Sequence, residues 1–208
     1  MFTGIVQRAC PISAIEREEG MIHLTIDLGA ELARGLERGA SVSVAGTCLT
    51  AIDFDLDAGW VRFDVIAESL RRTTLGELAV GELVNIERAA TIGDEIGGHL
   101  LSGHVHGVAE VVDITRPANN HEVTMRVDPE VARFIFSKGY IALDGCSLTI
   151  VEVDREASTF SVHLIPETLE RTTFGAREVG GRINVEVDAQ TLAVVETVDA
   201  ALAARGLT

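Results

Sequence analysis

Cysteine and histidine are the residue types in this sequence that could carry covalent or proton-transfer chemistry. Cys48 stands within a Gly-Thr-Cys-Leu-Thr segment, and a cysteine can act as a nucleophile or carry a proton. A buried, inert thiol is the alternative interpretation of Cys48, and it is the one we adopt for Cys10 and Cys146. Three cysteines at wide spacing, without a Cys-x-x-Cys pair, argue against a disulfide framework and against a zinc site.

Three histidines close together in the chain allow either acid–base or metal chemistry. His99, His104 and His106 follow the spacing His-x4-His-x-His, and on a strand the last two would share a face. Asp94 and Glu95 precede them and could complete a metal site, which would suit a metal-dependent hydrolase. A single histidine can also remove a proton near neutral pH, or be purely structural, so the spacing alone leaves these alternatives open.

A tandem repeat contains these residues and is the strongest feature of the sequence. Segments 4–6, 46–50, 68–76 and 84–87 recur as 103–105, 145–149, 167–175 and 183–186, at a constant offset of 99 residues and without a gap. Copies of this length predict two domains, since solenoid repeats span only about 20–50 residues. We therefore expect domains at 1–97 and 98–188, joined by a short connection. Cys48 then takes the place of Ser147, and His104 takes the place of Ile5.

Short β-like runs within each copy predict a small closed barrel. Residues 41–44, 60–65 and 84–87 are rich in β-branched or aromatic side chains, and turn signals separate them. Helix signals are few. We expect short helices at 30–38 and at 129–137, the second of which begins with a proline.

The pattern changes after residue 188. Thr191, Val195, Val198 and Leu202 follow one another at spacings of four, three and four, as on one face of a helix. Because segment 189–208 lies outside both copies, we interpret this face as a subunit interface. The alternative is a helix that folds back on its own barrel.

The composition excludes several classes of partner. With 17 basic and 32 acidic residues the formal net charge is −15, which repels phosphate backbones and anionic lipid, so neither nucleic acid nor a membrane is an expected partner. The apolar fraction of 47% is enough for a buried core. The start of the chain lacks the pattern of a signal peptide, and no run approaches the ~20 apolar residues of a membrane span, so we expect a cytoplasmic protein.

Five motifs, taken together, resemble those of riboflavin synthases. They are MFTGIV at 1–6, GTCLT at 46–50, DEIGGHL at 94–100, SGHV at 102–105 and HLIPETL at 163–169. Each is weak alone, but five in order within a tandem repeat are specific, and the resemblance covers essentially the whole chain. It implies a mainly β fold of two tandem six-stranded Greek-key barrels plus a C-terminal trimerisation helix. Active sites would form between the N-terminal barrel of one subunit and the C-terminal barrel of its neighbour.

The resemblance also implies a reaction. Riboflavin synthases are transferases that move a four-carbon unit between two molecules of 6,7-dimethyl-8-ribityllumazine. The products are riboflavin and 5-amino-6-(D-ribitylamino)uracil, in the last step of riboflavin biosynthesis. The family needs no metal and no redox cofactor and forms a homotrimer, while association with a lumazine synthase is left open. A repeat suits two identical substrates, because similar pockets can face each other and good alignment can contribute ~7–11 kcal/mol.

The resemblance assigns roles to individual residues. Cys48, Ser41 and His104 are implied to be catalytic: Ser41 would help to deliver water to a ring carbon, and His104 would remove the acidic proton of the lumazine 7-methyl group. The residues implied to bind substrate are Gly4, Ile5, Val6, Cys48, Leu49, Thr50, Asp64, Val65, Ile66, Ala67, Glu68, Ser69, Gly103, His104, Val105, Lys138, Ser147, Leu148, Thr149, Ile165, Pro166, Glu167, Thr168, Leu169, Glu170 and Asp188.

The binding residues fall into groups with different tasks. The backbone of 4–6 and 103–105 would meet the donor and acceptor edge of the pteridine ring. Polar side chains in 64–69 and 165–170 would bind the ribityl hydroxyls. Lys138, the only lysine of the chain, would reach the ligand of the neighbouring subunit.

Two positions depart from the family pattern. Many members have asparagine where this chain has Ala45, and aspartate is frequent where it has His106. Related lumazine- or flavin-carrying proteins keep the fold and lose catalysis, so the alternative function is a non-catalytic lumazine or flavin carrier. Retention of Cys48, Ser41 and His104 favours the enzyme.

Overall fold

Two closed antiparallel β-barrels of six strands each dominate the computed structural model, which describes residues 1–117 and 120–207. Barrel 1 comprises β1 (Arg8–Glu18), β2 (Met21–Asp27), β3 (Ser41–Val44), β4 (Thr47–Asp55), β5 (Trp60–Ile66) and β6 (Leu83–Arg88). Barrel 2 comprises β7 (Gly107–Thr115), β8 (His121–Arg126), β9 (Tyr140–Leu143), β10 (Cys146–Asp154), β11 (Thr159–Leu164) and β12 (Arg182–Val187). The predicted mainly β fold of two six-stranded barrels is confirmed.

Both barrels have the same Greek-key strand order. Around barrel 1 the neighbours are β1, β2, β5, β4, β3 and β6, and barrel 2 repeats this order with β7, β8, β11, β10, β9 and β12. Side chains alternate between the inside and the outside, as on β5, where Val61, Phe63 and Val65 are buried and Arg62 and Asp64 face outward. The outer faces of the strands are therefore where functional side chains can stand.

Each barrel closes around its own apolar core. Leu24 and Phe63 are fully buried in barrel 1, and Met125 and Val162 are fully buried in barrel 2. Burial of a side chain of this kind contributes ~1.5–3 kcal/mol to stability. Two separate cores are what two repeated copies require.

The helices inside the copies are short. They are α1 (Gly29–Ala33), α2 (Ala67–Arg72), α3 (Pro129–Ala132) and α4 (Pro166–Arg171), and 3₁₀ turns follow α2 and α4 at Thr74–Glu77 and Thr173–Ala176. The helices predicted over 30–38 and 129–137 are therefore too long. In the first segment Gly35 and Gly39 have φ angles of 66° and 90°, so left-handed residues convert its second half into turns. In the second segment α3 ends at Ala132, and its C-cap Arg133 passes into a turn.

The C-terminal helix α5 (Ala189–Ala203) confirms that the segment after residue 188 is helical. Asp188 caps it, since its carboxylate accepts hydrogen bonds from the Thr191 N–H (2.8 Å) and hydroxyl (2.7 Å). Burial alone would raise the pKa of Asp188, but these hydrogen bonds, one from Gln190 and the nearby His99 together lower it. The cap fixes the point at which the chain leaves barrel 2.

Most of α5 is uncovered in the single chain. Leu192 packs against the core of barrel 2, and Arg133, directly after α3, forms ion pairs with Glu196 (3.2 Å) and Asp199. None of the residues 189–203 is buried, and Val198 on the predicted seam is half exposed. The helix α5 thus makes few contacts with barrel 2, and its own apolar face stays exposed. Within the described residues, no helix has both the length and the apolar character needed to cross a membrane.

The two barrels meet around an approximate twofold axis. Phe2 and Leu101, which are equivalent in the two copies, form a reciprocal backbone pair with N–H to carbonyl distances of 2.9 and 3.0 Å. Both side chains are buried beside Ala142. Because equivalent residues pair with each other, the copies must be related by a rotation close to half a turn. Phe2 therefore fills the join between the barrels.

Candidate active site

The segments that precede the barrels cross to the opposite barrel. We call residues 1–6 leader 1 and residues 100–105 leader 2. The Cys48 N–H of barrel 1 donates to the Gly103 carbonyl of leader 2, and the Ser147 N–H of barrel 2 donates to the Gly4 carbonyl of leader 1, both at 2.8 Å. Each leader therefore extends the surface of the barrel formed by the other copy.

Glycine is required where each leader meets the opposite barrel. Gly4 and Gly103 have φ angles of 76° and 79°, in the left-handed region. A Cβ on Gly4 would lie 2.5 Å from the Cβ of Ser147, and a Cβ on Gly103 would lie 2.6 Å from the Cβ of Cys48. The residue that carries the candidate thiol is thus packed directly against the backbone of leader 2, next to His104.

A buried glutamate holds each leader in place. Glu87 on β6 accepts hydrogen bonds from the Thr3 N–H (2.6 Å), the Thr3 hydroxyl (2.7 Å) and the Gly4 N–H (3.1 Å). Glu186 on β12 makes the three equivalent contacts to leader 2, at 2.7, 2.7 and 3.0 Å. Burial raises the pKa of Glu87, while the donated hydrogen bonds act in the opposite direction. These carboxylates set the position of the leader backbone.

The three catalytic candidates meet on one surface, which we call half-site 1. Ser41 pairs with Thr50 across β3 and β4, and Ser43 pairs with Cys48 in the same ladder. Cross-strand partners project to the same side of a sheet, so Ser41, Cys48 and Thr50 stand on one outer face of barrel 1. His104 follows Gly103 on the leader that covers this face at Cys48. Half-site 1 comprises Ser41, 48–50 and 64–69 of barrel 1 with 103–105 of leader 2.

Segment 64–69 borders this face. Ala51 pairs with Phe63, and continuing that register by one residue brings Asp64 beside Thr50. Ile66, Ala67 and Glu68 are exposed where β5 passes into α2, and Ser69 is half-buried within α2. Leu49 and Val65 point into the core, so they can offer only backbone groups to a ligand.

Half-site 2 is the equivalent surface on barrel 2. It comprises 147–149 and 165–170 of barrel 2 with 4–6 of leader 1. Thr149 and Ile165 are exposed, and Pro166, Glu167, Thr168, Leu169 and Glu170 lie in α4. Leu148 and Val6 are buried in the core of barrel 2, so their side chains do not face a ligand, whereas Ile5 of leader 1 is half exposed.

His99 completes half-site 2. Its Nδ1 lies 2.6 Å from the Ser147 hydroxyl, and its ring stacks on Tyr140 with the ring centroids 5.2 Å apart. Burial lowers the pKa of His99, and nearby Asp188 opposes this. Tyr140 occupies the position that Ser41 has in copy 1. Half-site 2 therefore carries an aromatic ring where half-site 1 has the small side chain of serine.

Lys138 lies in the turn that precedes β9 of barrel 2. Its N–H donates to the Ile150 carbonyl at 2.8 Å, and the residue is exposed. Copy 1 has Gly39 at this position, with φ 90°, whereas Lys138 adopts φ 67°. A lysine in the left-handed region carries a conformational cost that glycine avoids. Its predicted contact with a neighbouring subunit stays a prediction.

Two histidines of the metal hypothesis, His99 and His106, have different hydrogen-bond partners. His106 Nδ1 accepts from the Val187 N–H (3.3 Å), and burial lowers its pKa. Gln7, its equivalent in copy 1, accepts from the Arg88 N–H at 2.8 Å. Among residues 1–117 and 120–207, no three or more His, Cys, Asp or Glu side chains gather in a way that could hold a metal ion. His106, which departs from the family pattern, therefore accepts the same backbone hydrogen bond as its equivalent Gln7.

Two of the three cysteines are buried in the barrels. Burial raises the pKa of Cys10 to about 11 and that of Cys146 to about 12, so both thiols stay protonated in neutral solution. This agrees with the inert role expected for them. Cys48 is only half-buried, under Gly103.

Two asparagines at the join between the barrels were not predicted. Asn85 donates to the Asp144 carbonyl (3.1 Å) and accepts from the Thr173 N–H (2.8 Å). Asn184 makes the equivalent contacts to barrel 1, both at 2.8 Å. The repeat contained the signal, since an asparagine recurs at a buried position of both β6 and β12. A cavity of about 530 Å³ opens beside them, and none of the predicted site residues lines it.

The fold and the paired half-sites define a class of protein, in which lumazine-binding domains occur as a tandem pair. Residues 3–89 and 102–188 each match the lumazine binding domain family. These matches cover the strands of both barrels and begin within the leaders. Asp188 is the last matched residue, so α5 lies outside both matches.

Curated relatives narrow the class to one family. The riboflavin synthase of Escherichia coli (strain K12) is 47% identical over 206 residues, covering 99% of this chain and 95% of the relative. The riboflavin synthase of Chlamydia pneumoniae is 43% identical over 206 residues, covering 99% of both chains. The riboflavin synthase of Mycobacterium tuberculosis (strain ATCC 25618 / H37Rv) is 41% identical over 191 residues, covering 90% of this chain and 93% of the relative. The chain belongs to the riboflavin synthase family.

Solved structures show the same architecture with ligands bound. LumP complexed with riboflavin is 28% identical, with a TM-score of 0.83, over 90% of this chain and 100% of LumP. LumP complexed with 6,7-dimethyl-8-(1'-D-ribityl) lumazine gives a TM-score of 0.81 at 28% identity, over 90% of this chain and 99% of LumP. The double barrel is thus a fold that binds ribityl-bearing ring systems in a similar protein.

Proposed function

We propose that this enzyme transfers a four-carbon unit between two molecules of 6,7-dimethyl-8-ribityllumazine, giving riboflavin and 5-amino-6-(D-ribitylamino)uracil as the last step of riboflavin biosynthesis. The observation that carries the proposal is that Cys48 and Ser41 share one outer face of barrel 1, which leader 2 contacts at Gly103, next to His104. A surface of the same construction on barrel 2 supports two identical substrates. Relatives named riboflavin synthase at 36–47% identity favour this reaction over a carrier function.

Each half-site offers what one lumazine needs. The leader backbone after Gly4 and after Gly103 presents the carbonyl groups of Ile5 and His104 to the amide-like edge of the ring. The exposed Ile66 and Ile165 offer apolar contact beside it, and the exposed hydroxyls of Thr50 and Thr149 offer hydrogen bonds. Riboflavin and a ribityllumazine bound to LumP support this assignment of the ligand class.

In the proposed reaction the side chains of half-site 1 act on a bound lumazine. His104 accepts the proton of the 7-methyl group, which turns that carbon into a nucleophile. Ser41 positions water at a ring carbon through its hydroxyl. Cys48 acts as a nucleophile or proton carrier at the same surface. The exposed position of His104, on a leader held by Glu186, suits direct contact with substrate.

The proposed assembly is a homotrimer in the cytoplasm. Two observations support the trimer: α5 leaves its apolar face uncovered, and both half-sites are open surfaces on the single chain. A neighbouring subunit would enclose half-site 1 with its own half-site 2, and Lys138 would reach across. Association of the trimer with a lumazine synthase is a prediction that the native mass of the purified assembly tests.

The test is incubation of the purified protein with 6,7-dimethyl-8-ribityllumazine alone, in the presence of a chelator. We expect riboflavin to appear at half the molar loss of lumazine, because one of each two substrates donates its four carbons. Absorbance and chromatography follow both compounds. Tight binding without product would identify a ligand carrier, and loss of turnover in chelator would revive the metal-dependent alternative.

Removal of α5 tests the shared site. A chain that ends before Thr191 should be monomeric, because the uncovered seam is gone, and should turn over about a hundredfold more slowly while it still binds riboflavin. Light scattering and initial rates measure the two effects. A truncated monomer with full activity would contradict the trimeric site.

A further inference from the structure

A polar row runs across the outer face of barrel 1 and continues beyond half-site 1. Ser41 on β3 pairs with Thr50 on β4, and Asp64 on β5 pairs with His23 on β2. The register of β4 and β5 brings Thr50 beside Asp64. The row therefore connects the catalytic candidate Ser41 to His23, a residue that lies outside the predicted site.

His23 holds the Asp64 carboxylate firmly. Its Nδ1 lies 2.5 Å from Asp64 Oδ1, and its Nε2 lies 3.4 Å from Glu18 Oε1. Only 13% of the His23 side chain is exposed, against 36% for Asp64. The hydrogen bond with Asp64 raises the pKa of His23, aided by Glu18 and opposed by burial and by Arg62. An imidazole between two carboxylates leaves Asp64 little freedom to rotate.

Copy 2 has the same pair with its members exchanged. Glu122 stands at the position of His23, and His163 stands at the position of Asp64. His163 Nε2 lies 3.5 Å from Glu122 Oε2, and 42% of the His163 side chain is exposed. Half-site 1 thus presents a carboxylate held at 2.5 Å by His23 beside Thr50. Half-site 2 presents beside Thr149 a more exposed imidazole, which contacts Glu122 at 3.5 Å and the Asn120 amide at 3.2 Å.

We propose that His23 is a positioning residue that orients Asp64 to accept hydrogen bonds from the polyol chain of the ligand in half-site 1. The inference rests on the proposed function, since the polyol is the ribityl chain of a lumazine or flavin. A carboxylate accepts from hydroxyl groups, and one held by an ionic partner forms such bonds without first losing rotational freedom. His23 therefore contributes to selectivity for the polyol without touching the ligand.

The test compares two flavins that differ only in this chain. Riboflavin carries the ribityl group, and lumiflavin has a methyl group in its place. Titration of the full-length protein, followed by flavin fluorescence, gives the affinities for both. His23→Ala should weaken riboflavin binding at one class of site by about five- to tenfold, as expected for a misplaced polar contact. Lumiflavin binding should stay within about twofold.

Two further variants distinguish positioning from a purely structural effect. His23→Asn should restore most of the riboflavin affinity, because its amide N–H can replace Nδ1 as a donor to Asp64. Glu122→Ala, the matched control in copy 2, should leave the affinity of that class of site unchanged. An equal loss for both flavins, no loss, or a loss that asparagine does not restore would overturn the proposal. Wild-type protein that neither binds riboflavin nor forms it from lumazine would overturn the proposed function itself.

Discussion

Half-site 1 and half-site 2 have the same construction but different chemistry. A glycine of the leader, a clamping glutamate and a strand-borne threonine occupy equivalent positions in both, with nearly equal distances. The differences lie in the side chains that face outward. Cys48 and Ser41 in half-site 1 correspond to Ser147 and Tyr140 in half-site 2. Duplication of the fold thus produced two surfaces of the same construction, and the predicted catalytic residues belong to one of them.

The exchange of leaders sharpens this difference. Leader 2 contacts Cys48 through Gly103, the residue before His104, and leader 1 contacts Ser147 through Gly4, the residue before Ile5. If each leader had stayed on its own barrel, the thiol would face isoleucine and the histidine would face serine. The exchange therefore decides that thiol, hydroxyl and imidazole share one surface.

Loss of the leader clamp should have the largest effect. Glu186→Ala leaves three donors of leader 2 without their acceptor, at ~1–3 kcal/mol each, so we expect stability to fall by about 3 kcal/mol or more. Turnover should fall at least about a hundredfold. Denaturation measures the loss of stability, and initial rates measure the loss of turnover.

Glu87→Ala is the matched control for that clamp, since it releases leader 1 from half-site 2. Cys48 alkylation by iodoacetamide should accelerate in Glu186→Ala only, because Gly103 packs on Cys48. Equal alkylation rates in the two variants would contradict the exchanged arrangement.

Removal of the thiol should have the next largest effect. Cys48→Ala should lower turnover by about tenfold or more while riboflavin affinity stays within about twofold, because the backbone N–H of residue 48 still bonds Gly103. Ser147→Ala, at the equivalent position, should change turnover by less than about threefold. Steady-state kinetics and fluorescence titration measure the variants. Unchanged turnover in Cys48→Ala would remove the thiol from the chemistry.

A smaller effect is expected at the turn that differs between the copies. Ala45 and Asp144 have nearly equal φ angles of 45° and 44°, and Asp144 Oδ1 accepts from the Asn184 N–H at 2.8 Å. Ala45→Asn would place an acceptor near Asn85 and suits left-handed backbone better than alanine. We expect stability to rise by ~0.5–1 kcal/mol with turnover unchanged, as measured by the denaturant midpoint. A lower midpoint would show that the turn cannot accept the larger side chain.

The smallest effect concerns His106 and Gln7. Burial lowers the pKa of His106 in the folded protein. At a pH just below 6.5, the ordinary pKa of histidine, the unfolded chain therefore binds a proton that the folded chain does not. The free energy of unfolding consequently falls as the pH drops through this range. His106→Gln accepts the same backbone hydrogen bond without titrating. The loss of stability between about pH 7.5 and about pH 5.5 should shrink by less than about 1 kcal/mol, with the remainder due to other buried histidines. If His106→Gln lost as much stability on acidification as the wild type, or more, this account would be contradicted.

Much of the fold could be predicted because its signals are local. The run 41–44 coincides with β3, and 60–65 and 84–87 lie within β5 and β6. Helices 30–38 and 129–137 were predicted too long: left-handed Gly35 follows the end of α1, and the chain turns at Arg133 directly after α3. The roles of Glu87, which holds leader 1, and of Asn85, which bonds to barrel 2, were not predicted. Both residues recur in copy 2, as Glu186 and Asn184. Their polar side chains in a strand pattern could have drawn attention to the join between the barrels.

The sequence by itself determined the repeat, the strand pattern, the C-terminal helix and, through motif resemblance, the candidates Cys48, Ser41 and His104. These follow from residue types and spacings along the chain. Only the tertiary structure decided which leader covers which barrel, and therefore that the leader carrying His104 contacts Cys48. The physical reason is that the offset of 99 residues is satisfied equally well whether a leader stays or crosses. The choice depends on contacts distant in sequence, such as Gly103 against Cys48.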